Sequence, residues 1–223
     1  MKIANIFIAA ATALTLIGCA THTAIKQPNL NSRLDTQQNK QIVSGVEVMA
    51  RPLHSIADLK ANFDEDLILY GVLPFHVSFR NTNSSICHIN MEHMTLIQPD
   101  GSSCQPLNLD QVCDSASKSY FRTAGWGVAF GIVGAIPSLI NVAMTNDKIK
   151  ADYESCMIKN GDLVSGAYTE GALFFPIDKK IQSLDGYRLN LTFVTDDQTN
   201  SATFDLSGEV EQPRVKEHKA DDK

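Results

Sequence analysis

Apolar and polar side chains alternate along several short stretches of this chain, and a period of two is the signature of half-buried β-strands. Phe75, Val77 and Phe79 interleave with His76, Ser78 and Arg80, so three apolar groups share one face and three polar groups the other. Leu189, Leu191 and Phe193 interleave with Asn190 and Thr192 in the same way; the polar run Asp196 to Asn200 then turns the chain and Thr203 to Leu206 returns. Further strands are expected at Ile42 to Val48, Ile86 to Ile89, Met94 to Ile97, Leu163 to Ala167 and Gly171 to Ile177. Asn81-Thr82-Asn83-Ser84 and Pro99-Asp100-Gly101 supply turn chemistry between them. About seven or eight antiparallel strands is the count of a β-sandwich.

In the middle of the chain the period changes. Asn108 to Ala116 reads as a short helix, and Pro137 to Lys159 as a longer one, with proline near its first turn and Asn160-Gly161 as a stop. Val142, Ile149, Tyr153 and Cys156 form one helical stripe, so this helix is expected to lie on another element. Residues 105 to 160 therefore read as a helical insertion into the sandwich. Another short helix is expected at Ser55 to Phe63, where Ser55 and Asp58 match a capping box.

Composition fits one ordinary domain: 223 residues, 43% of them hydrophobic. A formal net charge of −6, from 19 basic and 25 acidic side chains, argues against a groove that tracks nucleic-acid phosphates. Residues 19–40 are polar and apolar-poor and read as a flexible tether reaching on the order of 25 Å. Residues 209–223 read as a charged, solvated tail, which leaves 41–208 for the folded domain.

The amino terminus has the layout of an export leader. Lys2 precedes an uncharged apolar run from Ile3 to Leu16, too short for a comfortable membrane span. Leu16-Ile17-Gly18-Cys19 resembles the lipobox of bacterial lipoproteins. That resemblance implies loss of residues 1–18, diacylglycerol and an N-acyl chain on Cys19, and membrane lipid as a partner through the anchor. Ala20 stands where the family's inner-membrane retention signal would place Asp, which implies the outer membrane, on its periplasmic face. Export to an oxidising compartment makes two disulfides among Cys87, Cys104, Cys113 and Cys156 the expectation. Three pairings are open; Cys87 with Cys104 and Cys113 with Cys156 is preferred, because the second would tie the insertion to itself.

Phe75 to Asn81, the Asp100-Gly101 turn, Gly161-Asp162-Leu163-Val164-Ser165-Gly166 and Ala172-Leu173-Phe174-Phe175-Pro176 resemble the immunoglobulin-like domains of secreted bacterial lipoproteins. The expected fold is thus mainly β, an antiparallel immunoglobulin-like sandwich with a helical, Gly-rich insertion. Ala124 to Met144 carries no formal charge, with Trp126, Gly127, Gly131 and Gly134 as candidate membrane or oligomer contacts. Internal packing of this stretch on the sandwich is the plainer expectation.

Little in the chain speaks for catalysis. H-E-x-x-H, G-x-S-x-G and the phosphate-cradling G-x-x-x-x-G-K are absent, and Ser115-Ala116-Ser117-Lys118 fits S-x-x-K without its companion motifs. Cys87, His88, His93 and Cys104 are zinc-type donors, but neighbours on a strand point to opposite faces, so no metal site is expected. His54 and His76 stand alone and are expected to be solvated. The function expected is that of a lipid-anchored binding or assembly module with an envelope protein as partner, no nucleic acid, no cofactor and no catalytic residue. The alternative is a membrane-active or self-associating lipoprotein using 124–144, and a small periplasmic hydrolase comes third. Radiolabelled palmitate should enter the wild-type chain and not a Cys19→Ser variant; equal labelling of both would overturn the lipobox reading.

Overall fold

In a computed structural model that describes residues 40–63, 66–115 and 147–211, ten strands form two antiparallel sheets. In chain order they are β1 (Lys40–Val43), β2 (Val46–Pro52), β3 (Val72–Asn81), β4 (Cys87–Ile89), β5 (Thr95–Ile97), β6 (Ser103–Cys104), β7 (Gly161–Leu163), β8 (Tyr168–Pro176), β9 (Arg188–Thr195) and β10 (Gln198–Asp205). The first sheet runs β1-β2-β3-β8. In the second, β10 occupies one edge of β9 along its whole length. Both β4 and β5 use the other edge, Cys87 opposite Thr195 and Thr95 opposite Asn190, with a 3-10 turn at Met91–His93 between them. They act as one interrupted strand, flanked by β7 beside β4 and β6 beside β5.

The expected alternation builds the space between the sheets. Phe75, Val77 and Phe79 of β3 and Leu189, Leu191 and Phe193 of β9 are all at most 1% exposed. Phe79 meets Phe193 edge-on with ring centres 6.1 Å apart, and Phe75 meets Phe175 at 5.5 Å. Each such ring withdrawn from water contributes about 2 to 3 kcal/mol.

Several boundaries differ from the pattern-based expectation. Ile42 to Val48 is a hairpin, because Ser44 and Gly45 both take positive φ (48° and 70°), the two-residue turn that matches strand twist. Asp196 and Asp197 (52° and 58°) make the same kind of turn, so β10 starts at Gln198. The strand expected at Leu163 to Ala167 ends at Leu163, and Ala167 N–H closes a turn on the Val164 carbonyl. Residues 209–211, placed in the tail by composition, are docked: Val210 is buried and donates to the Gln182 carbonyl, and Glu211 accepts from Ile56 N–H.

Helices cover the outer face of the first sheet: α1 (Ile56–Phe63), α2 (109–115) and α3 (147–156). Ser55 and Asp58 form the expected capping interaction, with Asp58 N–H donating to Ser55 Oγ at 3.0 Å and Ser55 Oγ donating to Asp58 Oδ2 at 3.0 Å. Ile149, Tyr153 and Cys156 are buried as the stripe requires, and the ring of Phe174, on β8, sits against Phe63 of α1 at 5.5 Å and Tyr153 of α3 at 5.7 Å. A second, smaller core thus lies outside the sandwich. Val142, Trp126, Gly127, Gly131, Gly134, the leader, Cys19 and most of the tether lie outside the described residues.

Both ends of the insertion seal the open edge of β8. Leu107 N–H donates to the Phe174 carbonyl at 2.7 Å, and Ile158 N–H to the Ala172 carbonyl at 3.0 Å, the latter within a parallel bridge at Met157. The returning backbone passes so close to Gly171 that a Cβ there would lie 2.5 Å from Ile158 N. Gly171→Ala is therefore expected to cost about 2 kcal/mol in urea unfolding. Gly161→Ala, with open space around it and ordinary φ, should stay within about 0.5 kcal/mol of wild type. Equal effects of the two would show that the edge seal does not hold Gly171 as described.

Candidate functional site

Strand alternation sends two of the zinc-type donors to opposite faces. Cys87 points into the sandwich core with 0% exposure, while its neighbour His88 points outward and pairs through Nδ1 with Asp162 Oδ1 at 2.7 Å. Among the described residues no group of three or more His, Cys, Asp or Glu gathers as a metal cage. A histidine held by a carboxylate is also half of a nucleophile-activating device. The thiol next in sequence faces the opposite side, and the His88–Asp162 pair is more than half exposed, so it reads as a solvated surface pair.

All four described cysteines are free thiols. Register separates the preferred Cys87–Cys104 pair. Cys87 sits opposite Thr195 at one end of β9, whereas Cys104 sits beside Leu96, which pairs with Leu189 near the other end. Six residue steps of strand separate Thr195 from Leu189, about 20 Å and far beyond disulfide reach. Burial pushes the Cys87 thiol up to about 11.

Sequence alternation misleads at His76. It was expected to be solvated, yet it is 1% exposed, because α1, α2 and α3 cover the polar face of β3. His76 lies between Arg51 on β2 and Ala172 on β8, and neither ring nitrogen has a hydrogen-bond partner. Burial, with the charge of Arg51 adding to it, pushes the imidazole down to about 3. Arg51 is in turn held by Asp58 of α1 at 3.2 Å. The Arg51–Asp58 pair thereby ties α1 to the sheet beside the buried ring.

One end of the sandwich has a different character. The turn Ser44–Gly45, the loop 82–86, the turn 164–167 and the turn Asp196–Asp197 all emerge there. Asn81, 0% exposed, knits them: its Nδ2 donates to Ser85 O and Leu163 O, its Oδ1 accepts from Asn83 N–H, and its backbone pairs with Gly166 and Ala167. Thr82 bonds Gly45 O, and Ser44 Oγ bonds Asn200, which closes the two sheets against each other.

The five exposed large apolar side chains among the described residues are Ile42, Leu69, Ile86, Val164 and Tyr168, and four of them belong to this end. Ile86 and Val164 stand one step beyond the Cys87↔Leu163 pair. Ile42 and Tyr168 close the two ends of one cross-strand row, Ile42-Glu47-Arg80-Tyr168, with Arg80 over the Tyr168 ring at 5.6 Å. Single exposed apolar residues are ordinary, but these four gather at one end. Pattern reading missed it because strand faces predict burial and not which loops share an end.

The buried imidazole has a measurable consequence. In the unfolded chain His76 takes a proton near its ordinary value of about 6.5, whereas in the fold it stays neutral down to about 3. Its contribution is therefore complete above about pH 6.5 and fades as pH falls toward 3. Between about pH 7.5 and 5, wild type should lose about 2 kcal/mol more stability than His76→Leu in urea unfolding. Equal losses would refute the burial of a neutral ring.

No protein-family model matches the chain, and no curated protein matches it. Solved structures that match include a Bacillus subtilis "putative lipoprotein (ycdA)", 17% identical with a TM-score of 0.42 over 78% of this chain and 39% of that one. Another is the yjhA protein of Bacillus subtilis, 11% identical with a TM-score of 0.35 over 68% of this chain and 76% of that one. The chain thus spans well under half the length of the first of these.

Proposed function

We propose that this protein is a lipid-anchored component of the bacterial cell envelope, held by Cys19 on the periplasmic face of the outer membrane and acting as a non-enzymatic binding or assembly module. The observation that carries the binding role is the gathering of Ile42, Ile86, Val164 and Tyr168 at the end of the sandwich that Asn81 makes rigid. A preorganised face loses little entropy when it docks.

Two further features support this reading. The strand order β2-β3-β8 facing β10-β9-β4/β5 corresponds to A-B-E against G-F-C, the arrangement of immunoglobulin-like sandwiches, in which loops at one end serve for contact. The direction of β1 matters as well. The chain enters β1 at Lys40 and runs toward the Ser44–Gly45 turn, so β1 leads directly into this end of the sandwich. Among the described residues no helix is long and apolar enough to cross a membrane.

A photo-crosslinking side chain placed at Ile86 or Val164 in intact envelopes should trap a discrete protein adduct, whereas one at Leu69, equally apolar and distant from this end, should not. Equal trapping at all three positions would remove the contact-face reading. If a Cys19→Ser chain exported behind an ordinary leader still fractionated with membranes, the membrane-active reading of residues 124–144 would replace it.

A further inference from the structure

We propose that the exposed pair Ile86 and Val164, with Asp196 and Asp197 beside it, docks a protein segment that presents an apolar side chain next to a basic one. This rests on the binding-module reading above and adds the chemistry of the partner. In the second sheet the outermost row of the ladder is Leu163-Cys87-Thr195, so the next step outward sets Val164, Ile86 and Asp196 side by side at the ends of β7, β4 and β9. Neighbouring strands lie about 4.8 Å apart, so the three positions span about 10 Å. Ile86 is 46% exposed and Val164 59%. The row is held from beneath, because the carbonyls that Asn81 Nδ2 binds belong to Ser85 and Leu163, the residues just before Ile86 and Val164.

The charge beside the apolar pair has one sign. The connections that emerge at this end, 44–45, 82–86, 164–167 and 196–197, contain no Lys or Arg, and their only charged side chains are Asp196 and Asp197. Both are exposed, and neither takes part in an ion pair or a side-chain hydrogen bond among the described residues. Folding does not call for them: with φ of 52° and 58° they form the two-residue turn that favours Asn-Gly, and adjacent carboxylates repel each other. His88 and Asp162, two positions inward on the same strands, already hold each other. Arg80 belongs to the first sheet and covers the Tyr168 ring.

An apolar pair flanked by unpaired negative charge selects its partner by exclusion as well as attraction. Ile86 and Val164 withdraw an apolar side chain from water, and the carboxylates attract a Lys or Arg beside it. The same carboxylates repel acidic segments and anionic lipid headgroups. In an extended partner, side chains two residues apart share a face at about 6.8 Å, so apolar and basic residues alternating at that spacing match the row.

Fluorescence anisotropy with the synthetic peptide Ser-Leu-Ser-Lys-Ser-Leu-Ser-Lys-Ser, added to the lipid-free chain (Cys19→Ser exported behind an ordinary leader), tests this. The peptide should bind, with an affinity that falls as salt rises. Ile86→Ser with Val164→Ser and, separately, Asp196→Asn with Asp197→Asn should each weaken binding about tenfold. Asparagine suits the turn, so the second pair keeps the fold, and Asp205→Asn at the far end of β10 should change nothing. Peptides with Glu in place of Lys, or Ser in place of Leu, should not bind. Equal binding of the Glu peptide, indifference to both pairs of substitutions, attachment of the chain to phosphatidylglycerol vesicles through Ile86 and Val164, or self-association through them would each overturn the proposal. So would failure of the Lys peptide to bind; a protein adduct trapped at Ile86 in envelopes would then leave the binding module standing and reject only its basic partner.

Discussion

The free edge of β8 is the constraint on which the architecture turns. An edge strand offers a row of unpaired carbonyls and amides, which invites pairing with a foreign strand unless the chain covers it. Here the two ends of the insertion do so, Leu107 at the Phe174 carbonyl and Ile158 at Ala172. Covering the edge this way fixes where the insertion leaves and returns. It also seats α2 and α3 over the outer face of the first sheet, and it requires a residue without a side chain at position 171. An unrelated-looking glycine, two helices and a buried histidine are thus consequences of one unpaired edge.

The outer core that results has a mixed character. Phe63, Tyr153 and Phe174 supply aromatic packing, while a few residues away His76 is enclosed with both nitrogens unpartnered beside Arg51. Aromatic burial drives the layer onto the sheet, and desolvating a polar ring opposes it. The Arg51–Asp58 pair anchors α1 at this seam, so charge fixes where the helix sits even though burial supplies most of the attraction.

Much of this was legible in the chain, for identifiable reasons. Alternation at Phe75 to Phe79 and Leu189 to Phe193 gave strands with the correct inner faces, and Ser55, Asp58, Leu59 and Phe63 gave a capped helix with its buried side. The hairpin at Ser44–Gly45 escaped because the apolar positions on either side of it continue as though one strand ran through. His76 escaped because alternation reports polarity, and polarity equals exposure only when nothing covers that face. The distance between Cys87 and Cys104 escaped because it depends on their register along β9, which strand patterns do not show. The exposed apolar group was invisible for a related reason: Ile42, Ile86, Val164 and Tyr168 come from four separate stretches that only the topology brings to one end.

Asn81 gives that end a property of its own. One amide side chain, shut away from water with its donors and acceptor all satisfied, serves the loops on both sides of it. Part of the loop backbone is thereby held from beneath. Ile86 and Val164, which take no part in that hydrogen-bond set, can be exchanged over evolutionary time while the backbone around Asn81 keeps its shape.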